Sequence, residues 1–379
     1  MKRIACGMVL WLAAVCLAPA WAPAEEKAEA PKRRIELAIC LDTSGSMSGL
    51  INAARQKLWD IVNELALAKP EPDLRVALLS YGHGDHAESG HILMQTGLTD
   101  DLDTVYQKLM ALQITGSNEY VGWVVNDAAT KLEWSDAKDA LKIIFVAGNE
   151  SADQAREKYD YRKVCADAIA KGIVVNSIYC GNPTDNIAPG WQEVAKLADG
   201  HFAAIDQNNG VITISTPFDD KIAALNAKLN ETYVPYGPNG QIGAANQVAQ
   251  DANSVSQGSA NIAARAVTKA QSFYSNGSWD LVDARNGKDF DIEKVKKEDL
   301  PENMQKMNVE EQKAYLDKMQ AQRASVQTEI NGLATQRRQY IEAEQKKMAA
   351  KGQNSLDEAM TTAIREQAEK AEFKFEEKY

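Results

Sequence analysis

The chain has 379 residues, 45% of them hydrophobic, and a formal net charge of −11. That length leaves room for roughly two or three domains with a sizeable core. The acidic balance argues against a nucleic-acid-binding protein with a basic surface.

The first residues read as a secretory signal. Lys2 and Arg3 form a basic start, Met8 to Leu17 an apolar run, and Ala22-Pro-Ala24 a small-x-small cleavage pattern. Residues 1–24 are therefore expected to be removed on export to the periplasm or cell surface, leaving 25–33 as a mobile leader. The apolar run is too short to span a bilayer comfortably, and no later segment is apolar enough to do so. Cleavage leaves Cys40, Cys165 and Cys180. The last two could form a bridge, or all three could be buried thiols.

Ile35 to Leu41 is a short apolar run fitting a strand covered on both faces. Polar residues follow at once in Asp42-Thr-Ser-Gly-Ser46. A helix is expected over Leu50 to Leu67, with apolar residues near helical spacing. Leu74 to Tyr81 and His91 to Thr96 read as two strands joined by a hairpin. Helices follow over Asp100 to Leu112 and Tyr120 to Leu132. Leu141 to Ala147 is a buried strand, Tyr161 to Lys171 a helix, Ile173 to Cys180 a strand and Trp191 to Leu197 a helix. His201 to Ile205 is the last strand, and Phe218 to Tyr233 a closing helix. Strands alternating with helices predict an α/β fold, a doubly wound and mostly parallel sheet with one antiparallel edge strand.

The Pro/Gly-rich run after Tyr233 marks a boundary. Residues 234–308 read as a linker with one Ala/Gln-rich helix over Ala244 to Tyr274, then a short apolar anchor at Trp279 to Val282. Residues 309–379 read as a C-terminal α-helical region. Within it Leu316, Met319, Arg323, Val326, Ile330, Leu333, Arg337 and Tyr340 follow heptad spacing. Such a seam could pair within the chain or make a coiled-coil dimer. Leu356 to Lys378 reads as a last, charged helix.

Asp42, Ser44 and Ser46 stand at the carboxyl end of the first strand, where open α/β sheets bind ligands. One carboxylate and two hydroxyls are hard oxygen donors of the type Mg²⁺ prefers. The plainer alternative is a polar turn capping the next helix. The motif, its strand and the order of elements from Arg34 to Tyr233 resemble the von Willebrand factor A (vWA) family and, over the full chain, exported bacterial vWA proteins.

The resemblance implies a metal-ion-dependent adhesion site, in which the two serines bind a divalent cation (Mg²⁺, or Mn²⁺ or Ca²⁺) and the aspartate holds it through water. It implies two further loops as well. The second usually offers a threonine. Here Glu119 falls at that position, with Thr115, Ser117 and Asn118 as fallbacks, unless Glu119 only begins a helix. The third usually offers an aspartate, and here Gly148 takes its place, with Asn149 or Glu150 next to it. The expected metal ligands are thus Asp42, Ser44, Ser46, Glu119 and Asn149, the carboxylate of Glu119 compensating for the one absent at Gly148. The implied activity is cation-dependent protein binding, a carboxylate of an unidentified partner completing the metal shell. The alternative is a structural scaffold with a degenerate metal site, whose C-terminal helices make the contacts. Nothing in the sequence supports an enzyme: no nucleophile–base pair or phosphate-binding glycine loop is visible. His83, Asp85, His86 and His91 in the hairpin read either as a transition-metal cluster or as an exposed polar turn.

Overall fold

A computed structural model of the chain describes residues 33–116, 118–205, 213–288, 290–349 and 356–375. The expected signal segment and all of the expected leader except Arg33 lie outside these residues, as does Ser117. The described residues form one compact unit.

Six strands make the sheet: β1 (Arg34–Asp42), β2 (Asp73–Tyr81), β3 (Ile92–Thr99), β4 (Leu141–Gly148), β5 (Ile173–Tyr179) and β6 (Phe202–Ala204). Their order is β3-β2-β1-β4-β5-β6. All pairs are parallel except β2–β3, which the hairpin makes antiparallel. The α/β class and the single antiparallel edge are as the sequence predicts.

Alternation along β1 divides the core. Ile35, Leu37, Ile39 and Leu41 point to one face, where α1 (Ser48–Leu65) and α2 (Leu102–Ala111) pack. Ala38 and Cys40 point to the other, beneath α3 (Val121–Lys131), α4 (Tyr161–Ala170) and α5 (Ala188–Leu197). Cys40, Cys165 and Cys180 are buried free thiols, so the 165–180 bridge is absent. Burial pushes the Cys165 thiol up to about 12.

After α6 (Asp219–Asn230), the expected single Ala/Gln-rich helix is two: α7 (Gly240–Ser256) and α8 (Ser259–Lys269). The break is at Gly258, whose φ of +110° no L side chain adopts easily. The apolar anchor is used: Leu281 and Val282, on the single turn α9 (Leu281–Ala284), are buried in a cluster with Val234, Leu316 and Met319.

The heptad seam on α10 (Val309–Ala349) pairs within the chain. Ile330 and Leu333 close over Ile222, Leu225 and Leu229 of α6 and Ala263 and Ala266 of α8. The two seam arginines meet carboxylates that are buried, at Asp280 and Asp219, or half-buried, at Asp283. Arg323 donates to Asp280 at 2.8 Å and Asp283 at 2.7 Å, and Arg337 to Asp219 at 2.9 Å. The seam ends there, since Tyr340 is exposed. Ile330→Asp should therefore cost about 2 kcal/mol or more, from lost apolar burial and an unpaired charge. An unchanged urea midpoint would show that this contact carries no stability.

The last helix, α11 (Leu356–Lys370), is shorter than expected and buries one face. Met360, Ala363, Ile364 and Ala368 enter the main core against α1 and the sheet. The amides of Gln367 and Asn176 on β5 exchange hydrogen bonds of 2.6 and 3.1 Å, fixing the helix to the sheet.

Candidate metal centre

The loop after β1 begins at Asp42, whose carbon frame is buried between β2 and β4. Its Oδ1 accepts from the Ser44 amide at 2.7 Å, the local bond that bends the chain off the strand. The second loop is tied to the first, since the Thr115 amide donates to the Thr43 carbonyl at 2.9 Å. Two residues before α3, Glu119 is only 6% exposed. Its amide donates to Gln154 Oε1 at 3.1 Å, and its carboxyl is electrostatically coupled to that of Asp42. In the third loop, the Asn149 side-chain amide donates to Ser46 Oγ at 3.0 Å.

All five expected ligands thus gather at one end of the sheet. Four side chains among them each leave a buried oxygen with no hydrogen-bond partner: Asp42 Oδ2, Ser44 Oγ, Glu119 Oε2 and Asn149 Oδ1. Buried polar atoms are rarely left so, because each costs about 1–3 kcal/mol. The electrostatics agree. Burial, then contact with Glu119 and its charge, push the Asp42 carboxyl up to about 9. The Glu119 carboxyl is also raised, chiefly by burial. Two desolvated carboxyls side by side repel when both ionise, and a cation relieves both costs. The set is all oxygen, so it suits Mg²⁺, Mn²⁺ or Ca²⁺ in preference to softer metals.

The Thr115 hydroxyl lies 3.3 Å from His83 Nδ1. The hairpin histidines are neither a metal cluster nor a wholly exposed turn. Among the described residues no group of three or more His, Cys, Asp or Glu is placed to hold a metal ion. His83 and His91 are buried. His83 Nε2 lies 2.7 Å from Ser80 Oγ and 3.3 Å from Thr43 Oγ1. Its ring thus links β2 to the first two site loops. Burial, with the neighbouring imidazole of His86, holds its pKa below the ordinary value and favours the neutral ring.

The structure also explains Gly148. A Cβ there would lie 2.3 Å from the Tyr81 hydroxyl and 3.2 Å from Asp42 Oδ2. That hydroxyl donates to the Ala147 carbonyl at 2.9 Å and is completely buried. Tyr81 thus occupies the space a third-loop carboxylate would need. Gly148→Asp should therefore destabilise the protein by about 1–3 kcal/mol through overpacking. In a Tyr81→Phe background the same change should cost clearly less. Equal losses in the two backgrounds, by urea denaturation, would reject this steric account.

Residues 36–202 match the family model for the von Willebrand factor type A domain. They form a vWA domain. Among solved structures, this chain is similar to proximal thread matrix protein 1 of the mussel byssus, with a zinc-occupied MIDAS motif. There the identity is 14% and the TM-score 0.36, over 46% of this chain and 42% of that one. The chain thus spans less than half of the mussel protein. It is also similar to the vWF domain of the type V pilus tip protein Mfa5 from Porphyromonas gingivalis, with 14% identity and a TM-score of 0.38 over 48% of this chain and 92% of that one. A third likeness is to an aerotolerance-related membrane protein from Bacteroides fragilis, with 18% identity and a TM-score of 0.32 over 46% and 94% of the two chains. A comparison with curated proteins gave no match. No helix among the described residues is long and apolar enough to cross a membrane.

Proposed function

We propose that this protein is an exported binding module whose vWA domain engages a partner protein through a divalent cation. The observation that carries this reading is the set of four buried oxygens without a hydrogen-bond partner, on Asp42, Ser44, Glu119 and Asn149. Ser46, exposed beside them, gives the site a solvent-facing rim. A bound cation would neutralise the two carboxylates and offer a partner carboxylate a positive centre. Asp42, Ser44, Ser46, Glu119 and Asn149 would hold it. His83 and Gln154 keep the loops in place. Export rests on Lys2, Arg3 and the Met8–Leu17 run.

Calorimetric titration with Mg²⁺ and Mn²⁺ tests the reading. The native chain should bind one cation, and Asp42→Ala should not. A native chain that binds neither would favour the second reading, a scaffold with a degenerate site. The observation behind that alternative is Gly148, which leaves the third loop without a carboxylate.

A further inference from the structure

The α7 helix is built inside out. Its polar residues Gln247, Gln250, Asp251 and Ser254 are buried. Its apolar residues face solvent, with Ile242 at 70%, Val248 at 58% and Val255 at 61% exposure. Ala245, Ala249 and Ala252 are exposed between them. Seven large hydrophobic side chains are exposed among the described residues, and these three on one helix are the most exposed of them. Scattered exposed apolar residues are ordinary, but a contiguous apolar face marks a contact surface.

We propose that this face pairs with the same face of a second copy of the chain, α7 against α7, antiparallel about a two-fold axis. Two observations select that occupant. The first is mirror placement, with two of three pairs matched in size. About a point between Val248 and Ala249, the exposed residues mirror one another: Val248 with Ala249, Ala245 with Ala252, and Ile242 with Val255. In a two-fold interface each residue meets its mirror position in the other copy. An antiparallel pair would therefore set large against large at the ends and small against small inside them, with Val248 facing Ala249 at the centre. Alanines let the two helices approach closely, and the terminal Ile and Val close the ends.

The second observation is charge. The only charged residue on α7 is Asp251, and it is buried among Arg265, Lys269 and two asparagines. Two chains of net charge −11 can meet on this face without setting like charges opposite one another. The absence of Lys and Arg from α7 disfavours the other obvious occupant, a lipid surface, since interfacial helices are typically rich in both. The α10 seam is already filled within the chain and is a separate surface.

Light scattering of the full chain at micromolar concentration is expected to give a dimer mass, and Val248→Glu a monomer. Cysteine cross-linking tests the geometry without adding charge; Cys6 and Cys16 are replaced by serine in every variant, and the thiols at 40, 165 and 180 are buried. Val248→Cys lies next to the axis and should form a disulfide-linked dimer under mild oxidation. Ile242→Cys should not, because two copies of residue 242 would be about 20 Å apart at the helical rise of about 1.5 Å per residue. A monomeric native chain overturns the proposal. So does a dimer that survives Val248→Glu, or one that cross-links as well at 242 as at 248. A monomer that floats with phosphatidylcholine vesicles overturns it in favour of lipid.

Discussion

Glu119→Gln is expected to stabilise the protein in chelator and to lose most of the stabilisation that Mg²⁺ gives the native chain. In chelator, two buried carboxyls face one another, and Asp42 is raised to about 9 by burial and then by Glu119. Neutralising Glu119 removes that neighbour and should add on the order of 1 kcal/mol at neutral pH. The sign with pH is fixed by linkage. An unfolded aspartate titrates near pH 4, whereas folded Asp42 holds its proton to about pH 9. Across that window the folded state carries the extra proton, so native stability in chelator should fall as pH rises. The slope should be shallower in Glu119→Gln. With Mg²⁺ the order reverses. A cation bound only by the folded state adds stability according to its affinity. Exchanging a carboxylate for a neutral amide should weaken that affinity about tenfold or more, at least ~1.4 kcal/mol. Urea denaturation from pH 5 to 9, in chelator and in millimolar Mg²⁺, reads both arms. If Mg²⁺ stabilises Glu119→Gln as much as the native chain, Glu119 is not a ligand.

Much of this architecture is legible from residues alone, for a physical reason. A strand buried on both faces, such as Leu141–Ala147, is a continuous apolar run, and Asp42-x-Ser-x-Ser follows another one directly. Glu119 is legible as a candidate only through the family resemblance, which sets it where a threonine is usual; its place just ahead of a helix by itself suggests no more than a helix-start charge. The role of Tyr81 is not. Only pairing of both β2 and β4 with β1 brings its hydroxyl over Gly148, and the two lie far apart in sequence. His83 is similar: its position three residues after Ser80 is visible, but its contacts with Thr43 and Thr115 exist only in the fold. The arginines at 323 and 337 interrupt the apolar seam, and their carboxylate partners, which lie outside the helix, cannot be seen in its spacing. The α7 helix misleads most, since a helix whose polar side is buried inverts the rule by which amphipathic helices are read.

That inversion leads to Arg265→Leu, which is expected to cost about 3–5 kcal/mol, the usual loss when one partner of a buried ion network is removed. Arg265 stands on α8, completely buried. It donates to Asp103 of α2 at 2.6 Å, to Asp251 of α7 at 2.5 Å and to the Gln247 carbonyl at 3.0 Å. Its guanidinium lies 5.0 Å from the centre of the Trp59 ring on α1. One side chain therefore ties α7 and α8 to two helices of the vWA domain. Among the described residues, leucine would leave Asp103 with only the Tyr274 hydroxyl at 2.7 Å, while Asp251 kept Lys269 and two asparagines. Asp103→Asn should thus recover part of the loss in the Arg265→Leu background although it is damaging alone, a non-additivity that a double-mutant cycle measures. The acid limb should change too. Burial by itself would raise the Asp251 carboxyl, but Lys269 and Arg265 hold it down to about 2. Its contribution is present above about pH 4 and is lost as pH falls toward 2, so the native chain should weaken across that window. The variant should weaken less there, because Asp251 has lost one of its two cations. Hydrogen exchange separates this tie from a general loss of packing. Amides of α7 and α8 should lose protection well before those of β1, which the sheet holds from both sides. If protection falls equally in β1 and α7, Arg265 supports the whole core and is not the bolt between the two halves.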